Sequence, residues 1–143
     1  MVEPSAGYDF IIEGQVLTTQ YYGDVSAETI IQVIEKWSEY KQRLNELTIF
    51  VFDYSQARMR SVASNDAVGI ANEPIFASDL LNDIYIIGIL KEPRDYALSC
   101  LWATWLVKSN TFPRENVFLF RSKKRAEAKI KSLVQQLELK SVS

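Results

Sequence analysis

Two serines offer the clearest chemistry in this 143-residue chain. Ser61 and Ser64 lie at the start of a predicted short helix that runs from Ser64 to Asn72. A phosphate on a serine at a helix N-terminus lies near unpaired backbone N–H groups, which stabilise its charge. Ser64 is therefore a candidate phosphoacceptor, with Ser61 as the alternate. The competing interpretation is an ordinary N-cap, and Asp66 favours it because a carboxylate in the same turn repels phosphate.

A second candidate site follows the nearly continuous apolar segment from Leu47 to Phe52. That segment is typical of a central strand covered on both faces, and it is predicted to end at Asp53. The residues after it would lie at the carboxyl edge of the sheet, where open α/β sheets bind ligands. A solvated loop is the alternative. The candidates for a ligand or partner edge are Asp53, Tyr54, Ser55, Arg58, Arg60 and Asp66.

Catalytic and metal chemistry is restricted by the absence of histidine. Histidine is the usual general base near neutral pH and the commonest metal ligand, so serine–histidine and cysteine–histidine nucleophiles are excluded. Cys100 is the single cysteine, which excludes an internal disulfide framework and thiolate zinc sites, and its apolar neighbours predict a buried thiol. No pair of carboxylates has the spacing of an acid–base pair. The sequence predicts no enzyme activity, no cofactor and no metal site.

The elements that position these residues are read from hydrophobic periodicity. Apolar residues make up 48% of the chain and charged residues 24%, as in globular domains. Strands are predicted at 8–13, 15–22, 47–52, 84–90 and 117–120. Helices are predicted at 27–45 with Ser26 as N-cap, at 64–72, at 93–108 with Pro93 in the first position, and after Ser122, which caps the last helix. This β-β-α-β-α-β-α-β-α order predicts an α/β fold with one mostly parallel sheet, an antiparallel edge strand and helices packed on it. One domain is predicted over 1–143, with its core at about 8–137.

The helix at 94–108 is apolar almost all round, which exceeds the single apolar side that a helix on a sheet needs. Core packing explains part of this. The remainder predicts either a homodimer interface or an apolar pocket that binds a small ligand or lipid. The residues concerned are Tyr96, Leu98, Trp102 and Trp105.

Charge gives little support to nucleic-acid binding, because the formal net charge is −2. A basic cluster near the last helix is interpreted as a solvated face, with an anionic membrane or an acidic partner as alternatives. It comprises Arg121, Lys123, Lys124, Arg125, Lys129 and Lys131. The segment from Met1 to Gly7 lacks the pattern of a signal peptide, and no apolar run reaches the roughly 20 residues of a membrane span. The sequence therefore predicts a cytoplasmic protein.

Three local sequences, taken in this order of elements, resemble the STAS superfamily of anti-sigma-factor antagonists, most closely its SpoIIAA-like bacterial group. They are Phe52 to Ser55, the serine-rich loop leading to Ser64, and Val117 to Ser122 with the alanines that follow. The resemblance covers about Tyr8 to Leu137. STAS domains of the sporulation type carry a phosphorylatable serine in an Asp-Ser-Ser-Gly motif. Here that stretch reads Ser-Val-Ala-Ser-Asn-Asp over 61–66, so the motif is missing.

The resemblance implies a non-catalytic regulatory or protein-interaction domain in bacterial signalling, which presents the loop from Tyr54 to Ser64 to a protein partner. The alternative function is a small-ligand or lipid-binding domain with an apolar cavity near the Trp102/Trp105 helix.

Overall fold

The computed structural model describes residues 7–81, 83–110 and 112–142, without the side chains of residues 80, 141 and 142. The first six residues, for which the sequence predicts no signal peptide, lie outside this part. The strands are β1 (Tyr8–Glu13), β2 (Val16–Asp24), β3 (Ile49–Arg58), β4 (Tyr85–Ile89) and β5 (Val117–Phe120). The helices are α1 (Ala27–Arg43), α2 (Ser64–Ala71), α3 (Pro93–Asn110) and α4 (Lys123–Val142). Short 3-10 turns occupy Pro74–Ala77, Asp79–Leu81 and Arg114–Asn116.

The five strands form one sheet in the order β1-β2-β3-β4-β5. β1 pairs antiparallel with β2 through a tight hairpin, in which Gly14 takes the positive φ of +59° that glycine adopts readily. All other neighbours are parallel, because a helix returns the chain after β2, β3 and β4. The predicted mostly parallel sheet with an antiparallel edge strand is confirmed.

The two faces of the sheet are covered unequally. Successive strand residues point to opposite faces, so Phe50 and Phe52 join the core beneath α1, α2 and α3, whereas Val51 faces α4. The first core is the larger and contains most of the buried aromatic rings. On the other face, α4 packs through the stripe that includes Ala126 and Leu133. An open groove of about 490 Å³ remains between α4 and the β1–β2 part of that face.

Helix α1 is fixed at both ends and in its middle. Ser26 is the N-cap and accepts a hydrogen bond from Thr29 N at 3.2 Å, as the sequence predicts. Trp37 Nε1 donates to the Thr19 hydroxyl at 3.0 Å, which satisfies two polar groups inside the core. At the C-terminal end, Lys41 is 4% exposed, and its ammonium donates to the carbonyls of Asn45 and Leu47 at 2.9 and 2.6 Å. A lysine is buried there because its ammonium is satisfied by two backbone carbonyls of the connection between α1 and β3.

One close approach across the sheet depends on a glycine in β4. A Cβ placed on Gly88 would lie 2.3 Å from Phe52 Cζ and 2.8 Å from Leu119 Cδ2. The Phe52 ring therefore occupies the space above Gly88, where it meets the Trp102 ring edge-on at a centroid distance of 5.8 Å.

Candidate functional site

Strand β3 is longer than predicted, and this changes the expected ligand edge. The sequence predicts a strand that ends before Asp53 and a loop from Tyr54 to Ser61, but the strand continues to Arg58. It continues because β2 runs beside it as far as Asp24, after a register shift between Gln20 and Tyr22. The prediction was wrong because the charge of Asp53 interrupts the apolar segment, although the strand geometry does not change there.

Two of the predicted edge residues point into the protein. Asp53 is 2% exposed, and its carboxylate accepts the Ser55 N–H at 2.8 Å and lies 3.1 Å from Lys123 Nζ. It therefore attaches the start of α4 to the sheet. Tyr54 is buried and stacks on Tyr21 with centroids 4.4 Å apart. Burial raises the pKa of both phenols, so these two side chains stay neutral at physiological pH.

The order of the sheet lacks the reversal at which open α/β sheets usually form a ligand crevice. Ligands of open α/β sheets bind where the strand order reverses and neighbouring helices lie on opposite faces. Here the order runs β1 to β5 without reversal, and α1, α2 and α3 all lie on one face. Ser55 is half-buried, and Arg58 and Arg60 are exposed beyond that point.

The segment between β3 and α2, residues 59–63, is held by the first turn of α3. Arg94 donates from its two terminal nitrogens to the carbonyls of Met59 and Val62, each at 2.6 Å. Asp95, which is 2% exposed, accepts the Met59 N–H at 3.1 Å. Burial raises the pKa of the Asp95 carboxyl, while the Met59 N–H and the charge of Arg94 act in the opposite direction. These contacts fix the backbone that leads to the two candidate serines.

Sequence reasoning did not identify Arg94 and Asp95. The sequence does contain one indication of their role. Arg94 lies in the first turn of a helix, where its positive charge is unfavourable with the helix dipole unless the side chain has a partner. The partner segment lies more than 30 residues earlier in the chain.

Ser61 and Ser64 are both exposed, but Ser64 is not the N-cap of α2. The N-cap is Ala63, which has no side-chain acceptor, and Ser64 is the first helical residue. Asp66 performs the capping instead, because its carboxylate accepts the Ala63 N–H at 2.8 Å. The predicted cap at Ser64 was therefore wrong. Its hydroxyl remains accessible to solvent.

An apolar cavity of about 50 Å³ lies beside Trp102 and Leu98 in the larger core. Helices α1 and α2 and the sheet complete its lining. The indole N–H of Trp102 is buried and has no hydrogen-bond partner among the described residues. The other residues predicted for a pocket lie elsewhere. Tyr96 lines a groove beside β5, and the Trp105 ring lies 5.3 Å from Lys108 Nζ.

Helix α3 packs most of its apolar side chains. Leu98, Trp102 and Leu106 are buried, and Tyr96 and Trp105 are half-buried against the same core. The large hydrophobic side chains exposed among the described residues belong to β1, β2 and α4. Cys100 is half-buried, not fully buried as its neighbours suggested, and lines the groove beside β5.

The described ranges contain no group of three or more acidic or cysteine side chains placed to hold a metal ion. No helix in the part of the chain that the structure describes has the length and apolar character to cross a membrane.

Comparison with known proteins gives one structural relationship. Neither protein-family models nor curated proteins match the chain. A solved structure of the anti-sigma factor antagonist SpoIIAA in its unphosphorylated form superimposes with a TM-score of 0.51 at 10% sequence identity. The match covers 87% of this chain and 98% of that one. At this identity the similarity concerns the fold, and it agrees with the order of strands and helices described above. The chain therefore has the STAS-like α/β fold that its sequence predicts.

Proposed function

We propose that this chain is a non-catalytic STAS-like regulatory domain that binds a protein partner through an exposed surface in front of α2. This pre-α2 surface consists of Arg58, Arg60, Ser61 and Ser64. The observation that carries the proposal is that hydrogen bonds with Arg94 and Asp95 hold the backbone of the segment that carries these exposed side chains.

A fixed backbone favours binding, because a segment already ordered loses less conformational entropy when a partner docks. The hydrogen bond from Arg60 N to Asp24 Oδ1 at 3.1 Å adds a further attachment, to the end of β2. The two arginines give the surface a positive charge, which favours an acidic patch on the partner. The protein of similar fold, SpoIIAA, is an anti-sigma factor antagonist. By analogy of fold, we place the partner in bacterial signalling.

Phosphorylation would act differently at the two serines. A phosphate on Ser64 would carry nearly two negative charges within one turn of Asp66, whose carboxylate already caps α2. Repulsion between them would weaken the cap and loosen the start of the helix. Ser61 lies outside the helix, between Arg60 and Val62, so a phosphate there would change the charge of the surface without opposing the cap. We therefore propose Ser64 as the serine whose modification lowers partner binding most.

The test uses affinity capture from an extract of the source organism, with identification of the captured protein. Arg60→Glu is expected to abolish capture, whereas Arg43→Glu, an exposed arginine near the end of α1, is the matched control and should retain it. Ser64→Asp is expected to weaken binding and Ser64→Ala to preserve it, with Ser109→Asp as the control for added charge. Equal capture by all of these variants would contradict the proposed surface. If the alanine and aspartate variants of Ser61 and Ser64 capture the partner equally, only the proposed regulation by phosphorylation is contradicted, and the proposed binding surface is not.

The alternative, a small-ligand or lipid-binding domain, has one observation in its favour. The unpaired Trp102 N–H lies beside an apolar cavity and offers a donor to a bound molecule. The volume of about 50 Å³ is well below the roughly 150 Å³ of a cavity that accommodates benzene, so a lipid chain requires the helices to move apart. Mass spectrometry of an organic extract of the purified protein tests this function, and a clean extract would contradict it.

A further inference from the structure

Strand β5 is at the end of the sheet and pairs only with β4 within the described part of the chain. The Phe120 carbonyl accepts the Leu90 N–H at 2.8 Å, so the bonding groups of Phe120 face inward. Because these groups alternate along a strand, the N–H and C=O of Leu119 face away from the sheet. Val117 also faces outward, although its N–H is taken by the Arg114 carbonyl. The outer edge therefore presents a donor and two acceptors to a further strand.

A groove of about 410 Å³ runs beside this edge on the α3 face of the sheet. A strand added next to β5, about 4.8 Å away, would direct every second side chain toward it. The lining is apolar or weakly polar except for two cations, Lys108 and Arg114. The remaining lining residues are Tyr96, Cys100, Ala103, Thr104, Val107, Val117 and Leu119.

The opposite side of the same edge is basic. The structure divides the basic cluster of α4, since Lys123 pairs with Asp53 and Lys131 lines the groove over β1 and β2. Lys129 instead lies over Phe118, with Nζ 4.3 Å from the ring centre. Arg125 is exposed one helical turn before Lys129 and therefore lies on the same side of α4.

At the end of β5, Arg121 extends toward the end of β4, where it donates to the Lys91 carbonyl at 3.2 Å. From Arg114 to Arg125 the sequence contains one acidic residue, Glu115, and, apart from Lys123, which pairs with Asp53, four basic residues.

We propose that the β5 edge binds an extended acidic segment of a partner protein, which adds to the sheet as a sixth strand. Main-chain hydrogen bonds would supply affinity and the alternate side chains specificity, as in other strand-addition complexes. The cations favour acidic side chains on the added strand. They disfavour a second copy of this chain, because edge-to-edge pairing would bring the same cations together. This surface is separate from the pre-α2 surface and does not depend on it.

The test uses an eight-residue peptide of alternating glutamate and valine, blocked at both ends, and measures the amide spectrum of ¹⁵N-labelled protein. The amide signals of 117–121 are expected to shift, and exchange of the Leu119 amide should slow by about tenfold or more at saturation. The same peptide with every second nitrogen methylated keeps its side chains but loses the N–H donors of one strand edge. Of the two possible methylation patterns, the one that removes the donors facing β5 should bind more weakly.

Lys129→Glu and Lys131→Glu form a matched pair, because they make the same charge change on opposite sides of α4. At low salt Lys129→Glu is expected to weaken peptide binding by about tenfold, and Lys131→Glu by less than about twofold. Equal effects of the two substitutions, or peptide-induced shifts confined to residues outside 114–129, would overturn the proposal. A different result would also overturn the proposal: the protein does not bind the peptide but binds vesicles of anionic phosphatidylserine, and Lys129→Glu weakens the vesicle binding. The basic side of the edge would then be a membrane-binding surface.

Discussion

The first turn of α3 predicts a specific dependence of stability on pH. The Asp95 carboxyl is buried, accepts the Met59 N–H at 3.1 Å, and has a pKa that burial raises. A carboxyl whose pKa is higher in the folded state than in the unfolded state stabilises folding fully below the unfolded pKa. That stabilisation is lost as the pH rises through the folded pKa. At pH 7 the ionised Asp95 therefore lowers the free energy of unfolding relative to a neutral side chain with the same acceptor.

Asp95→Asn and Asp95→Ala separate the charge from the hydrogen bond. Asparagine keeps an oxygen for the Met59 N–H and removes the charge, so at pH 7 this variant is expected to be at least as stable as the parent. Alanine leaves a buried N–H without its acceptor, which costs about 1–3 kcal/mol relative to asparagine. With a urea slope of about 2 kcal/mol per molar, the two unfolding midpoints should differ by about 0.5–1.5 M.

The assay is urea unfolding followed by the fluorescence of the three tryptophans at pH 7 and at pH 4. The difference between the parent and Asp95→Asn is expected to change in favour of the parent at the lower pH, because a carboxyl with a raised folded-state pKa binds protons more readily in the folded state. The reasoning is refuted by identical midpoints for the asparagine and alanine variants. A difference between parent and asparagine variant that does not change with pH would refute the assigned pKa direction.

Three further substitutions test contacts elsewhere. Lys41→Met removes the donor to two backbone carbonyls and should lower the free energy of unfolding by about 1–3 kcal/mol, whereas Lys124→Met on the exposed side of α4 should change it by less than about 0.5 kcal/mol. Ser26→Ala removes the cap of α1 and should cost about 1 kcal/mol in the same measurement, with loss of helical circular dichroism before global unfolding. Trp102→Phe shrinks a buried side chain as well as removing an indole N–H that has no partner among the described residues, so it should cost about 1–3 kcal/mol, and a larger loss would indicate that this N–H has a partner in solution.

The local signals in the sequence predict most elements because they depend on near neighbours. Aromatic and β-branched residues on either side of Gly14 identify β1 and β2, and the predicted first residue of α3, Pro93, is the first residue of that helix. Ser122 accepts the Arg125 N–H at 3.3 Å and caps α4, as predicted. Each of these features is decided within a few residues of the chain.

The candidate site was predicted less well, because long-range contacts decide it. Tyr54 lies in a strand and not in a loop because β2 pairs with β3 beyond it, and its ring stacks on Tyr21 of that neighbouring strand. Arg94 and Asp95 hold a segment that the chain reaches more than 30 residues earlier. The cap of α2 comes from Asp66 and not from the serine that local preference favours.

The contact between Phe52 and Gly88 implies that these two positions share one volume and should change together in evolution. The Phe52 ring fills the space that a side chain at position 88 would occupy. Gly88→Ala alone should therefore be strongly destabilising, since the ring would have to move. Combined with Phe52→Leu it should cost less than the sum of the two single changes, which a double-mutant cycle measures. Among natural relatives, a larger residue at 88 is expected to accompany a smaller one at 52.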